Sequence, residues 1–384
     1  MYLTEEEERG LRGDYGEAMR LAYKVVVKVG EALGAPRLIK IVNAHISGIS
    51  YKNIGDAGLD LLQSLADMGA RFSVPTTINP AAIDLEKWVH LNIPRVFAEK
   101  QKKIVEALVK MGAVPLLSCM PYFYSKIEYG DQIAWAESNA VLYANSIIGA
   151  RTNREGGPLS LFEAIIGRAP YVGLRTPEGR QPTIRVRVGE KAYKLVLKEY
   201  GFPLLGYVLG KIVKKGVPQT DFTVPLDEVR GFLAAIGASS SLGMVIMKDI
   251  SPEWREVEVQ EKVAIQEEDL RETFEELTTL KEEAEIYYFG CPHLTLREVE
   301  KLLEVLEKKP GKKVVLSTSR WVLKEINRKI PENVTILADM CLVVAPLREM
   351  GYNKIITDSA KAAHYLSAMG IEVKYVPRNI ILGD

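Results

Sequence analysis

Apolar residues recur at three- and four-residue spacing from residue 15 to 33, the period that gathers them on one face of a helix. Ahead of that stretch, Thr4 with Glu7 makes a capping box, the signature of a helix start. Short β-rich runs then alternate with helical ones. Residues 38–42, 71–74 and 114–117 pattern as strands, and 56–67 and 96–111 as helices. Two further helical stretches, 130–148 and 159–166, flank a polar, glycine-containing loop at 149–157. Alternation of this kind predicts βαβ units and mostly parallel sheets, so the expected fold class is α/β.

The middle of the chain has another texture. Residues 183–188 alternate polar and apolar like a half-exposed strand, 194–198 form a second short run, and 226–236 a helix, which together suggest a separate α+β unit. Charge density rises between 253 and 283, with helical periodicity at 268–280, and a boundary is expected near 283. The βα rhythm then resumes. Strands are expected at 285–289, 313–316, 334–337 and 354–356, and helices at 320–328, at 360–369 and after Thr295, whose partner Glu298 again completes a capping box. The expected organisation is therefore an α/β domain over 1–125, a helical and α+β domain over 126–283, and an α/β domain over 284–384.

Composition narrows the function classes. Fifty basic side chains balance fifty acidic ones, which leaves no net field for a nucleic-acid backbone or an anionic membrane. The first ten residues are acidic where a signal peptide is basic, and no apolar run of 18 residues follows, so a cytoplasmic chain is expected. Three widely spaced cysteines do not make a disulfide framework.

Each of those cysteines, Cys119, Cys291 and Cys341, follows an expected strand, and the crevice beyond the carboxyl ends of parallel strands is where α/β proteins bind ligands. Three readings stand at this point. Free cysteine packs as a small hydrophobe. With His293, the three thiols could complete a structural zinc site in a non-enzymatic interaction protein, although such sites usually carry close cysteine pairs. An iron–sulfur cluster on three thiolates would leave one iron open to a substrate hydroxyl and carboxylate.

Longer motifs bear on the choice. The segments Asn43-Ala-His-Ile-Ser-Gly48 running on to Gly58, Val74-Pro-Thr-Thr-Ile-Asn-Pro80, Cys119-Met-Pro-Tyr122, Ala136-Glu-Ser-Asn-Ala140, Gly149-Ala-Arg-Thr-Asn-Arg-Glu-Gly-Gly157 and Gly290-Cys-Pro-His293, with Cys341, resemble the aconitase X family over nearly the whole chain. That resemblance implies an aconitase-like arrangement of α/β domains around an iron–sulfur cluster of the [4Fe-4S] type, held by Cys119, Cys291 and Cys341. It also implies a dehydration, with (R)-5-phosphomevalonate as the expected substrate and cis-3-hydroxy-L-proline as the alternative. Aconitases carry a swivelling fourth domain with the catalytic serine. That part is expected on a separate small subunit, and no catalytic base is assigned to this chain.

The same resemblance marks substrate contacts. His45, Ser47 and Gly48 are expected in a loop after the first strand, and Asn79 after the next. Glu137, Ser138 and Asn139 fall in a helical pattern near Cys119. Thr152, Asn153 and Arg154 offer hydroxyl, amide and guanidinium groups suited to a carboxylate or phosphate. Arg320, at a strand-to-helix junction, could add a fork of donors to an anion. The bland alternatives are a structural histidine, helix polarity, a solvated turn and an ordinary helix cap. Small-residue junctions at 237–243 and 357–361 could also cradle phosphate, without the form of a P-loop.

Overall fold

The computed structural model describes residues 1–308 and 311–382. Its first part is a small parallel sheet wrapped by helices. Strands β1 (Leu38–Lys40), β2 (Asn43–Ile46), β3 (Thr76–Ile78), β4 (Ile133–Trp135) and β5 (Arg168–Pro170) are short, and β2 lies between β3 and β4, parallel to both. β1 and β5 pair antiparallel. The helices Glu17–Ala32, Tyr51–Asp67, Arg95–Lys110 and Gly157–Ile166 cover this sheet with leucine, isoleucine, valine and alanine side chains in one buried cluster. Thr4 caps the first helix, Glu5–Arg12, with the reciprocal Glu7 bond that the sequence pattern predicts.

The middle part carries β6 (Ile184–Val188), β7 (Pro218–Thr220) and β8 (Glu261–Ile265) in the order β7-β6-β8, all parallel. Against it pack the helices Gly201–Val213 and Val229–Ser239, nine and seven of whose residues are buried. Residues 194–198 are helical rather than extended, because they run from Glu190–Leu195 straight into a wide turn at Val196–Tyr200.

The last part is a five-stranded sheet, all parallel, in the order β11-β10-β9-β12-β13, built from β9 (Ile286–Leu294), β10 (Val314–Thr318), β11 (Val334–Ala338), β12 (Lys354–Thr357) and β13 (Glu372–Tyr375). Strand order reverses beside β9, so its carboxyl end faces the crevice where such sheets place ligands. The helices Leu296–Lys308 and Ala360–Ala368 connect these strands.

Several strand limits differ from expectation, each for a local reason. The strand expected at 71–74 lies instead at Thr76–Ile78, directly after Pro75. The one expected at 114–117 is reduced to a single bridge, Thr77 to Val114, because Pro115 has no N–H to extend the ladder. The expected helix over 130–148 begins as β4, and its helical part starts at Ser138 behind the Glu137 cap.

Candidate functional site

Cys291 is displaced from the sheet by an irregularity in its own strand. Phe289 of β9 pairs with Leu316 and Leu294 pairs with Thr318, so the four residues Gly290 to His293 bow outward opposite Ser317 alone. Gly290 makes the bow possible: its φ is 128°, and a Cβ there would lie 2.6 Å from the Ser317 carbonyl oxygen and 2.7 Å from its nitrogen. Cys341 follows β11, and Cys119 lies in the irregular chain beyond Val114. All three thiols are buried.

Hydrogen bonds draw the three segments together. The His293 backbone N–H donates to Cys119 Sγ at 3.3 Å. Its ring Nε2 lies 2.9 Å from the Met340 carbonyl oxygen, the residue before Cys341. A carbonyl only accepts, so Nε2 carries the proton and Nδ1 is left as an acceptor. That Nδ1 is buried and has no partner among the described residues. Burial holds the imidazole at about 4, so it is neutral at pH 7. Tyr288 Oη sits 3.5 Å from Cys341 Sγ. Cys341 accepts a hydrogen bond from the Cys291 thiol, which brings its own acidity to about 7 and keeps the Cys291 proton in place. Burial pushes Cys119 up to about 12.

A buried ion pair stands over this group. Lys361, at the start of the helix behind β12, donates to Glu137 Oε1 at 2.5 Å and to Ser138 Oγ at 3.2 Å. Glu137 also caps its helix by accepting from the Ala140 N–H at 2.7 Å. Burial alone would raise the Glu137 carboxyl, but the Lys361 charge and hydrogen bond hold it below the usual range. Asn139 donates to the Cys119 carbonyl oxygen and to Tyr122 Oη, and its own Oδ1 is buried without a partner among the described residues.

His45 lies within β2, not in the loop expected after it. Its Nε2 donates to Asn79 Oδ1 at 3.2 Å, its Nδ1 accepts from Thr77 Oγ1 at 2.8 Å, and burial holds the ring neutral, at about 4. Ser47 and Gly48 follow on the same turn, where the Ser47 carbonyl approaches so close to Gly157 that a Cβ there would lie 2.2 Å away. The carboxyl ends of β2, β3 and β4 thus carry His45, Asn79 and Glu137 to one side of the sheet.

The remaining residues marked by sequence are engaged elsewhere. Thr152 Oγ1 accepts from the Trp135 N–H, and Asn153 bonds the Val172 carbonyl and the Leu174 N–H. Arg154 donates to the carbonyls of Gly237 and Ser240, so the junction at 237–243 receives a guanidinium rather than offering N–H groups to an anion. Arg320 ties Asp84 and Asp339 together and reaches Glu86, leaving its fork fully paired with carboxylates.

Three residues of the site escape the sequence reading. Lys361 closes the small-residue run at 357–361, a weak signal. Tyr288 stands three residues before Cys291 on an ordinary strand. Arg230 gives no signal at all, yet it donates to the His293 carbonyl oxygen at 3.0 Å, to Met120 Sδ at 2.8 Å and to Glu298, joining the middle part to both thiol loops. It lines a cavity of about 730 Å³ that opens beside Cys291.

Among the described residues no group of three or more His, Cys, Asp or Glu side chains is spaced to hold a single metal ion. In the alternative Cys₃His zinc site His293 would have to ligate through Nδ1, because its Nε2 carries the proton given to the Met340 carbonyl oxygen. The donor set that remains is three convergent thiols ringed by unpartnered buried polar atoms on Asn139, His293 and Ser317. It fits a polynuclear group in which each thiolate takes its own metal.

Parallel sheets that deliver their strand ends to a thiol-lined crevice place the molecule among the aconitase-like α/β proteins. Its sequence matches the descriptions "Aconitase X first domain" over residues 1–178, "Aconitase X second domain" over 182–275 and "Aconitase X third domain" over 284–381. It is 37% identical to the phosphomevalonate dehydratase large subunit of Methanocaldococcus jannaschii, covering 100% of this chain and 98% of that one. It is 31% identical to the cis-3-hydroxy-L-proline dehydratase of Pseudomonas aeruginosa, covering 95% of this chain and 66% of that one. The crystal structure of Thermococcus kodakaraensis aconitase X in its holo-form superposes with a TM-score of 0.90 at 36% identity, covering all of both chains. The chain belongs to the aconitase X family.

Proposed function

We propose that this chain is the large subunit of a hydro-lyase that removes water from (R)-5-phosphomevalonate, giving trans-anhydromevalonate 5-phosphate. The observation that carries the proposal is end-to-end similarity, at 37% identity, to a relative named phosphomevalonate dehydratase large subunit. Cys119, Cys291 and Cys341 would hold an iron–sulfur cluster of the [4Fe-4S] type, which supplies a Lewis acid for the departing C3 hydroxyl. The chain's own part is to bind and orient. Asn139 Oδ1 and the neutral His293 Nδ1 are buried acceptors without partners among the described residues, placed to take a hydroxyl proton. Lys361 spends two of its three ammonium donors on Glu137 and Ser138, which leaves one for a substrate carboxylate. His45 holds the Asn79 amide from behind. Ser47, Gly48 and Ser138 complete this side of the crevice, whereas Thr152, Asn153, Arg154 and Arg320 support it by holding the backbone and the domains in place.

The base that takes the C2 proton is assigned to a small subunit carrying the swivelling fourth domain, in a heterodimer or a larger assembly. The names of the relatives as large subunits support such a partner. Among the described residues no helix is long and apolar enough to cross a membrane.

The test is anaerobic coexpression with the small-subunit reading frame of the same genome, iron and sulfide analysis, and an assay of water loss from 5-phosphomevalonate beside cis-3-hydroxy-L-proline. A brown protein with matched iron and sulfide that turns over the phosphorylated acid is expected. Zinc without sulfide would remove the cluster, and turnover of hydroxyproline alone would reassign the substrate.

A further inference from the structure

A second cavity, of about 400 Å³, lies at the opposite end of the first sheet from the thiols. The carboxyl end of β4 leads to Glu137, but its amino end is held by Arg151, whose N–H donates to the Asp131 carbonyl and which bridges Gln132. Arg151 lines this cavity together with Arg180, Arg255 and Trp254, and none of its lining residues is shared with the cavity beside Cys291.

Its chemistry is unbalanced in two ways. Arg180 is buried and neutralised by Glu253, which accepts from it at 2.8 and 3.0 Å. Arg255 is exposed, and among the described residues its side chain bonds only the neutral amide oxygen of Gln181, at 2.7 Å. Arg151 takes part in no ion pair among the described residues, so two positive charges face one cavity without a counter-ion from the protein. The second imbalance is in hydrogen bonding: Arg151 Nε and the Trp254 indole N–H are both buried, both donors, and both without an acceptor among the described residues. Both donors are sealed from solvent, so they make the cavity wall polar, while the unpaired guanidinium charge is what a ligand would meet. The walls between them are apolar, from the Trp254 ring, Ile246 and Pro252.

We propose that this cavity binds a small organic anion, a phosphate monoester or a carboxylate with a flat apolar body, with the Arg151 and Arg255 guanidinium groups on the charge and the Trp254 ring against the apolar body. The volume is at the lower end of the usual range for small-molecule sites. Arg180 gives the cavity a route inward, because it also donates to the Asn145 Oδ1 that receives the Thr152 N–H. Occupancy would therefore stiffen the loop that follows Gly149.

Phenyl phosphate, benzoate and inorganic phosphate are the probes, titrated by calorimetry into the anaerobically reconstituted full chain. Saturable, sub-millimolar binding of phenyl phosphate or benzoate is expected, with inorganic phosphate about tenfold weaker for want of the apolar body. Arg151→Gln should weaken the organic probe by about tenfold or more, and Arg255→Gln by a few-fold. Trp254→Phe should abolish the quenching of indole fluorescence that accompanies binding. No saturable heat with either organic probe would overturn the proposal, as would unchanged affinity in both arginine variants, which would put the ligand in the thiol-lined crevice. Equal affinity for inorganic phosphate would overturn the organic part. Circular dichroism checks each variant, and if Arg151→Gln does not fold, the exposed Arg255→Gln decides.

Discussion

Replacing Lys361 by methionine tests whether the buried ion pair holds the last domain against the rest. Lys361 and Glu137 are 7% and 6% exposed, and they come from positions 224 residues apart in the chain. At 2.5 Å and an effective dielectric of about 20, their attraction is roughly 7 kcal/mol before the cost of taking both charges out of water. That cost cancels most of the gain, so the pair as a whole contributes little net. Removing one partner is different. Lys361→Met leaves Glu137 with the Ser138 hydroxyl and the Ala140 N–H but no cation, and stranding a buried charge costs about 3–5 kcal/mol. In a chain of this size that corresponds to a fall of roughly 5 °C or more in the melting midpoint, read by circular dichroism at pH 7. The double variant Glu137→Gln with Lys361→Met strands no charge and should recover most of the loss. A Lys361→Met melt within about one degree of the parent chain, or a double variant as unstable as the worse single one, would refute the reasoning.

Four further outcomes follow from the geometry. Arg320→Gln should lower the thermal midpoint by several degrees, because Asp84 and Asp339 then face each other without their shared cation, and Arg320→Lys should restore only part, lacking the fork that reaches both. Glu298, held at about 2 by Arg230 and Arg378 despite its burial, contributes about 3 kcal/mol that is fully present above its ordinary 4.5 and lost as pH falls from 4.5 towards 2; urea midpoints across that window should fall more steeply for the parent chain than for Glu298→Gln. Gly290→Ala should destabilise by about 3 kcal/mol or more in urea titrations, since backbone atoms at 2.6 and 2.7 Å cannot yield as a side-chain tip would. Single alanine variants at Cys119, Cys291 or Cys341 should each lose most of the bound iron and sulfide while keeping the parent far-ultraviolet spectrum, measured after anaerobic reconstitution.

Sequence made the α/β rhythm of the last domain legible because its strands and helices each follow a single period. The helix Leu296–Lys308 buries Val299, Leu302, Leu303 and Leu306, a plain amphipathic stripe behind its capping box. The helix Gly201–Val213 went unread for the opposite reason: it is buried nearly all round, so no polar face marks its period. Short strands between prolines, such as Thr76–Ile78, are set by neighbours rather than by propensity. Sequence set Cys119, Cys291 and Cys341 side by side as candidate ligands and marked Glu137, Ser138 and Asn139 near them. The loop at 152–154 reads in sequence as one for a ligand, and the amides and guanidinium groups that suit a ligand suit backbone carbonyls equally well. Here Asn153 serves the nearby Val172 carbonyl, and Arg154 serves those of Gly237 and Ser240 in the middle part.

What sequence could not carry is the set of ties between distant segments, which hold together the stretches that carry the three thiols. Cys119 reaches the group through the His293 N–H and the Asn139 amide, which belong to the last and first parts of the chain. Cys291 is placed by the bow that Gly290 allows, and Arg230 from the middle part then grips the same bow through the His293 carbonyl. Cys341 follows Met340, which pairs with Ala81 of the first part, one residue after Asp339 has met Arg320. Each thiol is thus set by contacts between parts as well as within its own. A group bound to all three would lock the interfaces it depends on, because binding to the assembled form alone stabilises that form by linkage. Domain packing and retention of such a group would in that sense be one equilibrium.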